Sequence, residues 1–559
     1  MENKTEKIPS LKEGQIKKLP VDVQTFEDLR MGNYIYIDKT KHVFDMIDGG
    51  RIFFLSRPRR FGKSLFLSTL QALFEDKKYL FEGLYIYDKW EWGTEYPIIK
   101  IDFSDIRVNS IEALIEDLQA TLEWNAGNNN IKIEYGNESI AKKFSGLIKK
   151  LYEVKKQKVV ILIDEYDKAI RNNLDKSEKE RDGIREVLRD FYEVIKGNDA
   201  YIRFVFLTGL LEINGLSFFS GLNNVRNITL KSQFSDICGY TQTELESNFD
   251  YYITEMAKAI GYDKKETLKE IKDCYDGYTW DGKTKMYNPY SVLNALADKE
   301  FNNYWFESGT SASLEKFIRN NPMQDFDFEE IYFLWSDLTI VNLDAIEPEI
   351  MLFRNGYLTI KDIEQEHGKT IGCTFVWPNA EVKESAKKIA LFAMYELKSK
   401  KLANLRKPFL ESFKSFDEEL FNKTLSSFIS LISYKKAPKG EAAYQALFGT
   451  SLDIMGFNIL NELPTSKGRP DIVIIYGDTA IIIEVKYVEI DKKVQKGNKK
   501  VFEKRLNEKI ESGIKAALKQ IAEKKYYERF ELEYDKVLLI GLVFAQKGQK
   551  ARAKFERIK

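Results

Sequence analysis

A chain of 559 residues is too long for a single hydrophobic core, and two to four domains are expected. Lys and Arg number 86 and so do Asp and Glu, so no global field draws the chain to nucleic acid, and any such contact must come from a local patch. No charge-free stretch reaches the length of a membrane-spanning helix and the start M-E-N-K-T-E-K lacks a signal-peptide core, while three Cys and two His argue for a reducing, cytoplasmic setting and against a Cys/His zinc site.

Residues 1–20 are polar. L-P-V-D-V-Q-T-F-E-D-L-R and then Tyr34–Thr40 read as a short helix and an exposed strand. They lead into R-I-F-F-L-S-R-P-R-R-F-G-K-S-L-F-L-S-T-L at 51–70, an apolar run, a basic turn and a helical pattern opened by Gly-Lys-Ser. That is strand, phosphate loop, helix. Such a loop needs backbone N–H groups around the phosphates, a Lys for the terminal ones and a hydroxyl for magnesium. Ile52–Leu55 supply the strand, Gly62 the close approach, Lys63 the cation and Ser64 the hydroxyl. The spacing departs from G-x-x-x-x-G-K-[ST] in one place: Arg57 stands at the first Gly, and Pro58 removes a donor. The loop therefore either holds nucleotide less tightly or uses Arg57, Arg59 and Arg60 to supplement the missing amides, with Phe61 completing the nucleotide-binding stretch.

The apolar runs Pro97–Phe103, Val159–Ile163 and Ile202–Leu207 alternate with helical patterns at Ile111–Trp124, Ala141–Val154 and Gly183–Ile195, which predicts an α/β domain with a parallel sheet between helices. The run V-V-I-L-I-D-E-Y-D ends in Asp164, placed to orient the magnesium shell through water or Ser64, and Glu165, placed to polarise the attacking water. Asp-Glu also opens many ordinary loops, and the Gly62-Lys63-Ser64 stretch upstream is what favours the catalytic reading. Thr208 is either a sensor of the terminal phosphate or a turn residue before Gly209.

From Phe234 to about Lys400 helical segments dominate: Glu244–Ile260, Lys264–Cys274, Pro289–Ala297 and Leu314–Arg319. The aromatic turns Y-D-G-Y (275–278) and Y-N-P-Y (287–290) read as packing rather than base stacking, and 351–360 reads as a compact β-containing module. The region has the character of a lid or coupler.

The second chemical constellation lies near the C-terminal end. Glu441 opens an amphipathic helix. Gly468-Arg-Pro-Asp471 runs into Ile472–Ile475, and Gly477-Asp478 turns the chain into A-I-I-I-E-V-K at 480–486. Strand parity puts Glu484 and Lys486 on one face, which Asp471 can approach. Two carboxylates converging with a Lys suit a hard divalent metal and a water aimed at a phosphodiester. Asp471 and Glu484 would be ligands, Lys486 would orient or activate the water, and Glu441 could complete the shell. A Glu-x-Lys pair on a strand is often only a surface ion pair. Here the flanking Ile and Val residues predict burial, and buried carboxylates need a partner or a metal. Between Asp491 and Arg529 basic residues outnumber acidic ones, which makes a positive stripe for a phosphate polymer or a solvated mixed-charge helix. Gln520 within it either hydrogen-bonds the catalytic face or a substrate phosphate, or is an ordinary helix residue.

These residues carry a resemblance. The loop at 54–64, Y-I-D-K-T (36–40), I-L-I-D-E-Y-D (161–167), F-F-S-G-L-N-N (218–224), Y-D-G-Y, Y-N-P-Y-S (287–291) and Y-W-F-E-S-G-T (304–310) resemble bacterial and archaeal proteins that fuse an AAA-ATPase-like domain to a PD-(D/E)XK nuclease-superfamily domain. So do Glu441, G-R-P-D (468–471), E-V-K (484–486) and A-L-K-Q-I (517–521). The likeness implies a P-loop domain over 1–235, a mostly helical lid or coupling region over 236–404 and a restriction-endonuclease-like α/β domain over 405–559. It implies ATP at Lys63 and Ser64 opposite Asp164 and Glu165, and magnesium or manganese at Asp471 and Glu484 with Lys486 catalytic. The leading expectation is a cytoplasmic ATP-controlled nuclease acting on DNA or RNA, open to homo-oligomer formation and a role in defence against foreign nucleic acid. The rival is a nucleotide-dependent switch whose C-terminal domain only binds nucleic acid.

Overall fold

A computed structural model describes residues 7–9, 15–133, 136–173, 176–210, 224–307, 330–339, 347–432, 437–438, 440–460, 470–489, 499–545 and 550–558. The described residues divide into two compact units, the first reaching to 307 and including 330–383, the second running from 384 onward. Among the described residues no helix is long and apolar enough to cross a membrane.

The first unit is built on a parallel sheet of β1 (Ile52–Ser56), β2 (Ile98–Asp102), β3 (Val159–Asp164), β4 (Ile202–Gly209) and β5 (Arg226–Asn227), in the order β2-β3-β4-β1-β5. Parallel neighbours need crossovers, and the helices Lys63–Phe74, Ile111–Asn128, Ile140–Lys155 and Glu178–Gly197 supply them. With both faces covered, β1 and β3 are buried along their whole length, which is why they read as unbroken apolar runs. Helix starts follow local chemistry. The Ser110 hydroxyl accepts from Ala113 N, and Ser177 with Glu180 closes a capping box. Because β4 lies between β1 and β3, Thr208 stands beside Leu55 and Leu207 beside Ile163, so the ends of β1, β3 and β4 form one rim.

Tyr34–Thr40 departs from the expected exposed strand. It carries an isolated bridge from Tyr34 to Lys18, and Ile35 and Ile37 are buried against helices Gln242–Ile260, Lys264–Tyr275 and Pro289–Asp298. Those three helices therefore belong to the first unit. Pro289 occupies the first turn of its helix, and the Asn288 side chain accepts from the N–H groups of Tyr290 and Ser291. The same unit holds an antiparallel sheet of β6 (Ile331–Leu334), β7 (Thr359–Glu366) and β8 (Lys369–Val376) in the order β6-β8-β7. In the segment 351–360 the first five residues end the helix Pro348–Asn355, and the strand starts only at Thr359, after Gly356 with φ +87°. The helix expected at Leu314–Arg319 lies outside the described residues.

The second unit has the sheet order β13-β12-β11-β10-β9, with β9 (Asn458–Ile459), β10 (Ile472–Tyr476), β11 (Thr479–Val488), β12 (Lys536–Ala545) and β13 (Lys550–Arg557). β11 and β12 are parallel and the other pairs antiparallel. Alternation along β11 splits the core. Ile481, Ile483 and Val485 pack with helices Ser399–Ser415, Glu418–Ser430 and Glu441–Ile454, whereas Ala480 and Ile482 pack under helix Lys499–Lys524. Glu484 and Lys486 share the parity of the second set.

Candidate functional site

In the first unit the chain leaves buried β1 and must turn at once into the helix that Lys63 opens. Arg60 and Gly62 do so with φ of +66° and +91°, a region that suits Gly and strains Arg. The Ser64 hydroxyl donates to Asp164 Oδ2 at 2.6 Å, Glu165 N donates to Asp164 Oδ1 at 3.0 Å, and the Thr208 hydroxyl reaches the same oxygen at 3.3 Å. The rim thus brings Ser64, Asp164, Glu165 and Thr208 into one hydrogen-bonded set. Lys63 Nζ donates to the carbonyls of Arg57 (2.9 Å) and Pro58 (3.0 Å). Burial lowers the Lys63 pKa, against the pull of Asp164 and Glu165, and burial raises that of Asp164 despite the Ser64 bond and the Lys63 charge. Lys63, Ser64, Asp164, Glu165, Arg59, Arg60, Phe61 and Gly62 line a cleft of about 490 Å³ that continues to apolar walls at Val23, Ile35 and Leu293. Its volume suits a nucleotide-sized ligand.

Arg57 corrects the expectation placed on it. Its guanidinium is turned inward, 1 % exposed, donating to the carbonyls of Ser56 (2.8 Å), Thr229 (2.9 Å) and Phe234 (2.8 Å) and lying 4.0 Å over the Trp280 ring. A charge committed to three carbonyls and an aromatic face is a brace for the loop rather than a phosphate ligand. Arg59 and Arg60 stay at the cleft, and Arg60 lies 4.6 Å over Tyr290. Arg171 had no signal in the sequence. It pairs with Glu165 Oε2 at 3.3 Å and Asp167 Oδ2 at 2.8 Å, so the proposed water-polarising carboxylate is held by a cation six residues on.

In the second unit the loop Gly477-Asp478 joins β10 to β11 with Ile472 opposite Ile483, which brings Asp471 alongside Glu484 on one face of the sheet. Asp471 Oδ2 accepts from Val485 N at 2.7 Å. Glu484 is fully buried. Its Oε1 meets Lys486 Nζ at 3.3 Å, and its Oε2 has no hydrogen-bond partner among the described residues. Burial, then the nearby Asp471 charge, pushes the Glu484 pKa up to about 7, although Lys486 pulls the other way. Burial also opposes the charge on Lys486, but its bonds to Glu441 and Glu484 outweigh that and raise its pKa.

Glu441 stands at the same site. Its Oε1 accepts from Lys486 Nζ at 3.0 Å and its Oε2 from Tyr487 N at 3.2 Å, and its charge adds to the rise of the Glu484 pKa. Among the described residues no group of three or more His, Cys, Asp and Glu is arranged to hold a metal. The carboxylates of Asp471 and Glu484 are a set that suits magnesium, which keeps several waters and takes further oxygens from substrate phosphate. An uncompensated, buried carboxylate oxygen beside a second acid is the observation in favour of that fit.

Gln520, on the helix Lys499–Lys524, hydrogen-bonds the Tyr526 phenol, which is buried and close enough to Glu484, Asp471 and Lys486 to feel their charges. Tyr526 was missed from sequence because a Tyr just beyond a helix, among packing residues, carries no motif. Gly468 and Arg469, and most of 218–224, lie outside the described residues.

Comparison with known proteins follows the same division. A family model described as predicted AAA-ATPase (AAA-ATPase_like) matches residues 20–219, and one described as PD-(D/E)XK nuclease superfamily (PDDEXK_9) matches 439–553. A protein of Azotobacter chroococcum mcd 1, named "Uncharacterized protein in vnfD 5'region", is 31% identical over 539 residues, which cover 95% of this chain and 97% of that one.

Proposed function

The chain belongs to the family that joins an AAA-ATPase-like domain to a C-terminal PD-(D/E)XK nuclease-superfamily domain, and from that premise we propose that ATP in the first unit controls metal-dependent cleavage of nucleic-acid phosphodiester bonds by the second. As functional parts we take an ATPase-like part over 1–235, a coupling part over 236–404 and a nuclease-like part over 405–559, in a cytoplasmic protein. The observation that supports cleavage best is the buried Oε2 of Glu484, which has no hydrogen-bond partner among the described residues, beside Asp471 and Lys486.

The geometry supports the following roles. Lys63 exchanges its two loop carbonyls for terminal phosphate oxygens, and Arg59 and Arg60 add charge at the mouth. Ser64 and Asp164, bonded to one another, would hold the magnesium that accompanies ATP. Glu165 orients water once it leaves Arg171, and Thr208 holds Asp164 in its rotamer. In the second unit Asp471 and Glu484 would hold magnesium or manganese, which would supply Lewis-acid polarisation and a more acidic water. Lys486, kept charged and aimed by Glu441, would stabilise charge on the phosphate or position the attacking water.

The test is cleavage of DNA and RNA oligonucleotides with magnesium by wild type and Lys486→Ala. A loss of at least 100-fold supports the reading, whereas equal cleavage by both proteins contradicts it. One observation favours a second reading: the Arg171–Glu165 pair, which occupies the water-polarising carboxylate, would suit a slow nucleotide switch. ATP turnover well above that of Glu165→Gln excludes it. A defence role predicts that phage plate less efficiently on cells carrying wild type than on cells carrying Lys63→Ala.

A further inference from the structure

Residues 57–61 of the phosphate loop are each held by a residue from 278–305 or by Gly356. The Arg57 guanidinium lies on Trp280. Gly356 passes so close to Pro58 that an added Cβ would sit 2.5 Å from the proline Cβ. The Arg59 carbonyl accepts from Trp305 Nε1 at 3.3 Å, and Arg60 lies over Tyr290. Phe61 meets Tyr278 and Trp280 edge-on at 4.8 and 5.4 Å. Five consecutive loop residues thus each touch a residue that follows the candidate nucleotide site in the chain.

Beyond the loop the contacts converge on one helix start. Glu381, 3 % exposed, accepts from Trp305 N through Oε1 at 2.7 Å and from the Ser291 hydroxyl through Oε2 at 2.8 Å. The Asn379 side chain accepts from Val382 N at 3.1 Å, an N-cap bond, while its amide donates to the Asp276 carbonyl in the Y-D-G-Y turn at 2.9 Å. Both residues sit at the start of helix Ala380–Tyr395, which begins in the first unit and ends in the second, where Tyr395 is part of the core.

We propose that Trp305 and Glu381 are positioning residues that report the state of the phosphate loop to the helix Ala380–Tyr395, a relay that rests on the ATP-controlled reading above. The carbonyls at 57 and 58 hold the Lys63 ammonium. A terminal phosphate that claimed this ammonium would release them and give the loop a second arrangement to report. Arg59 is the next residue, so its carbonyl moves with theirs and carries the Trp305 indole along. Trp305 and Ser291 share the two oxygens of one buried carboxylate, so a shift of the tryptophan is felt at the first turn of the helix.

The test is amide hydrogen exchange on the full chain with and without ATP and magnesium, in wild type, Trp305→Phe and Glu381→Gln, with ATP at ten times each protein's own Kd. Trp305→Phe keeps an aromatic ring and removes the indole donor, whereas Glu381→Gln leaves one of two donors facing an amide N–H. ATP is expected to slow exchange in Lys63–Phe74 in all three proteins and to change exchange in 380–395 at least threefold in wild type. Under twofold is expected in both variants. No ATP effect on Lys63–Phe74 in wild type defeats the ATP-binding reading itself, and the relay with it. An effect there with none at 380–395, or an unchanged effect at 380–395 in Trp305→Phe, overturns the relay alone. If Glu381→Gln fails to fold, Trp305→Phe decides.

Discussion

Replacing Glu484 by Gln isolates the energetic cost on which the proposed metal site depends. In the metal-free protein, burial and Asp471 raise this carboxyl from an ordinary 4.5 to about 7. The sign follows from linkage. Below 4.5 the group is protonated in both folded and unfolded chains and is neutral for stability. Between 4.5 and about 7 the unfolded chain ionises while the folded one does not, so stability falls as pH rises, and the loss is complete above the folded pKa. The full gap corresponds to about 3 kcal/mol, of which about 2.5 kcal/mol is lost between pH 5 and 8.5. Gln has no such dependence. Thermal unfolding with chelator at both pH values, scored as variant minus wild type so that other titrations cancel, should show the variant gaining ~5–10 °C in the second unit's transition between pH 5 and 8.5. Excess magnesium or manganese at pH 8.5 should then stabilise wild type and leave the variant unmoved. A difference that is the same at both pH values would refute the reasoning, because Glu484 would then carry no uncompensated charge.

Three further outcomes follow. Glu165→Gln should cut ATP hydrolysis by about 10²–10³-fold while ATP affinity stays within about threefold, measured by turnover and equilibrium binding. Arg57→Lys should lower the first unit's stability by about 2–3 kcal/mol in denaturant titrations, since an ammonium reproduces neither the fork to three carbonyls nor the stack on Trp280. Glu441→Ala should slow cleavage about 10–100-fold with metal affinity retained, whereas Asp471→Asn should lose metal affinity; titration of manganese against cleavage rate separates the two.

The parallel sheet and the hairpin were legible because their signals are local. Unbroken apolar runs mark strands covered on both faces, and Gly477-Asp478 between two such runs fixes the pairing that puts Asp471 beside Glu484. Tyr34–Thr40 was misread because its alternation mimics a half-exposed strand, while the helices that cover Ile35 and Ile37 come more than 200 residues later. Arg57 was misread for a related reason. Charge in a phosphate loop suggests a phosphate ligand, and nothing nearby in the sequence reveals that Thr229, Phe234 and Trp280 will close around it. Glu441 shows the limit from the other side: proximity to the acids was foreseeable, but not that both its oxygens would serve Lys486 and Tyr487 N. Tyr526 and Arg171 reach the candidate sites through neighbours that only the fold supplies.

The central claim, that one unit's nucleotide governs the other's cleavage, is tested most directly by cleavage rates with and without saturating ATP for wild type and Lys63→Ala. ATP should change the wild-type rate at least fivefold and leave the Lys63→Ala rate unaltered. An ATP response of equal size in both proteins, or none in wild type, would contradict it.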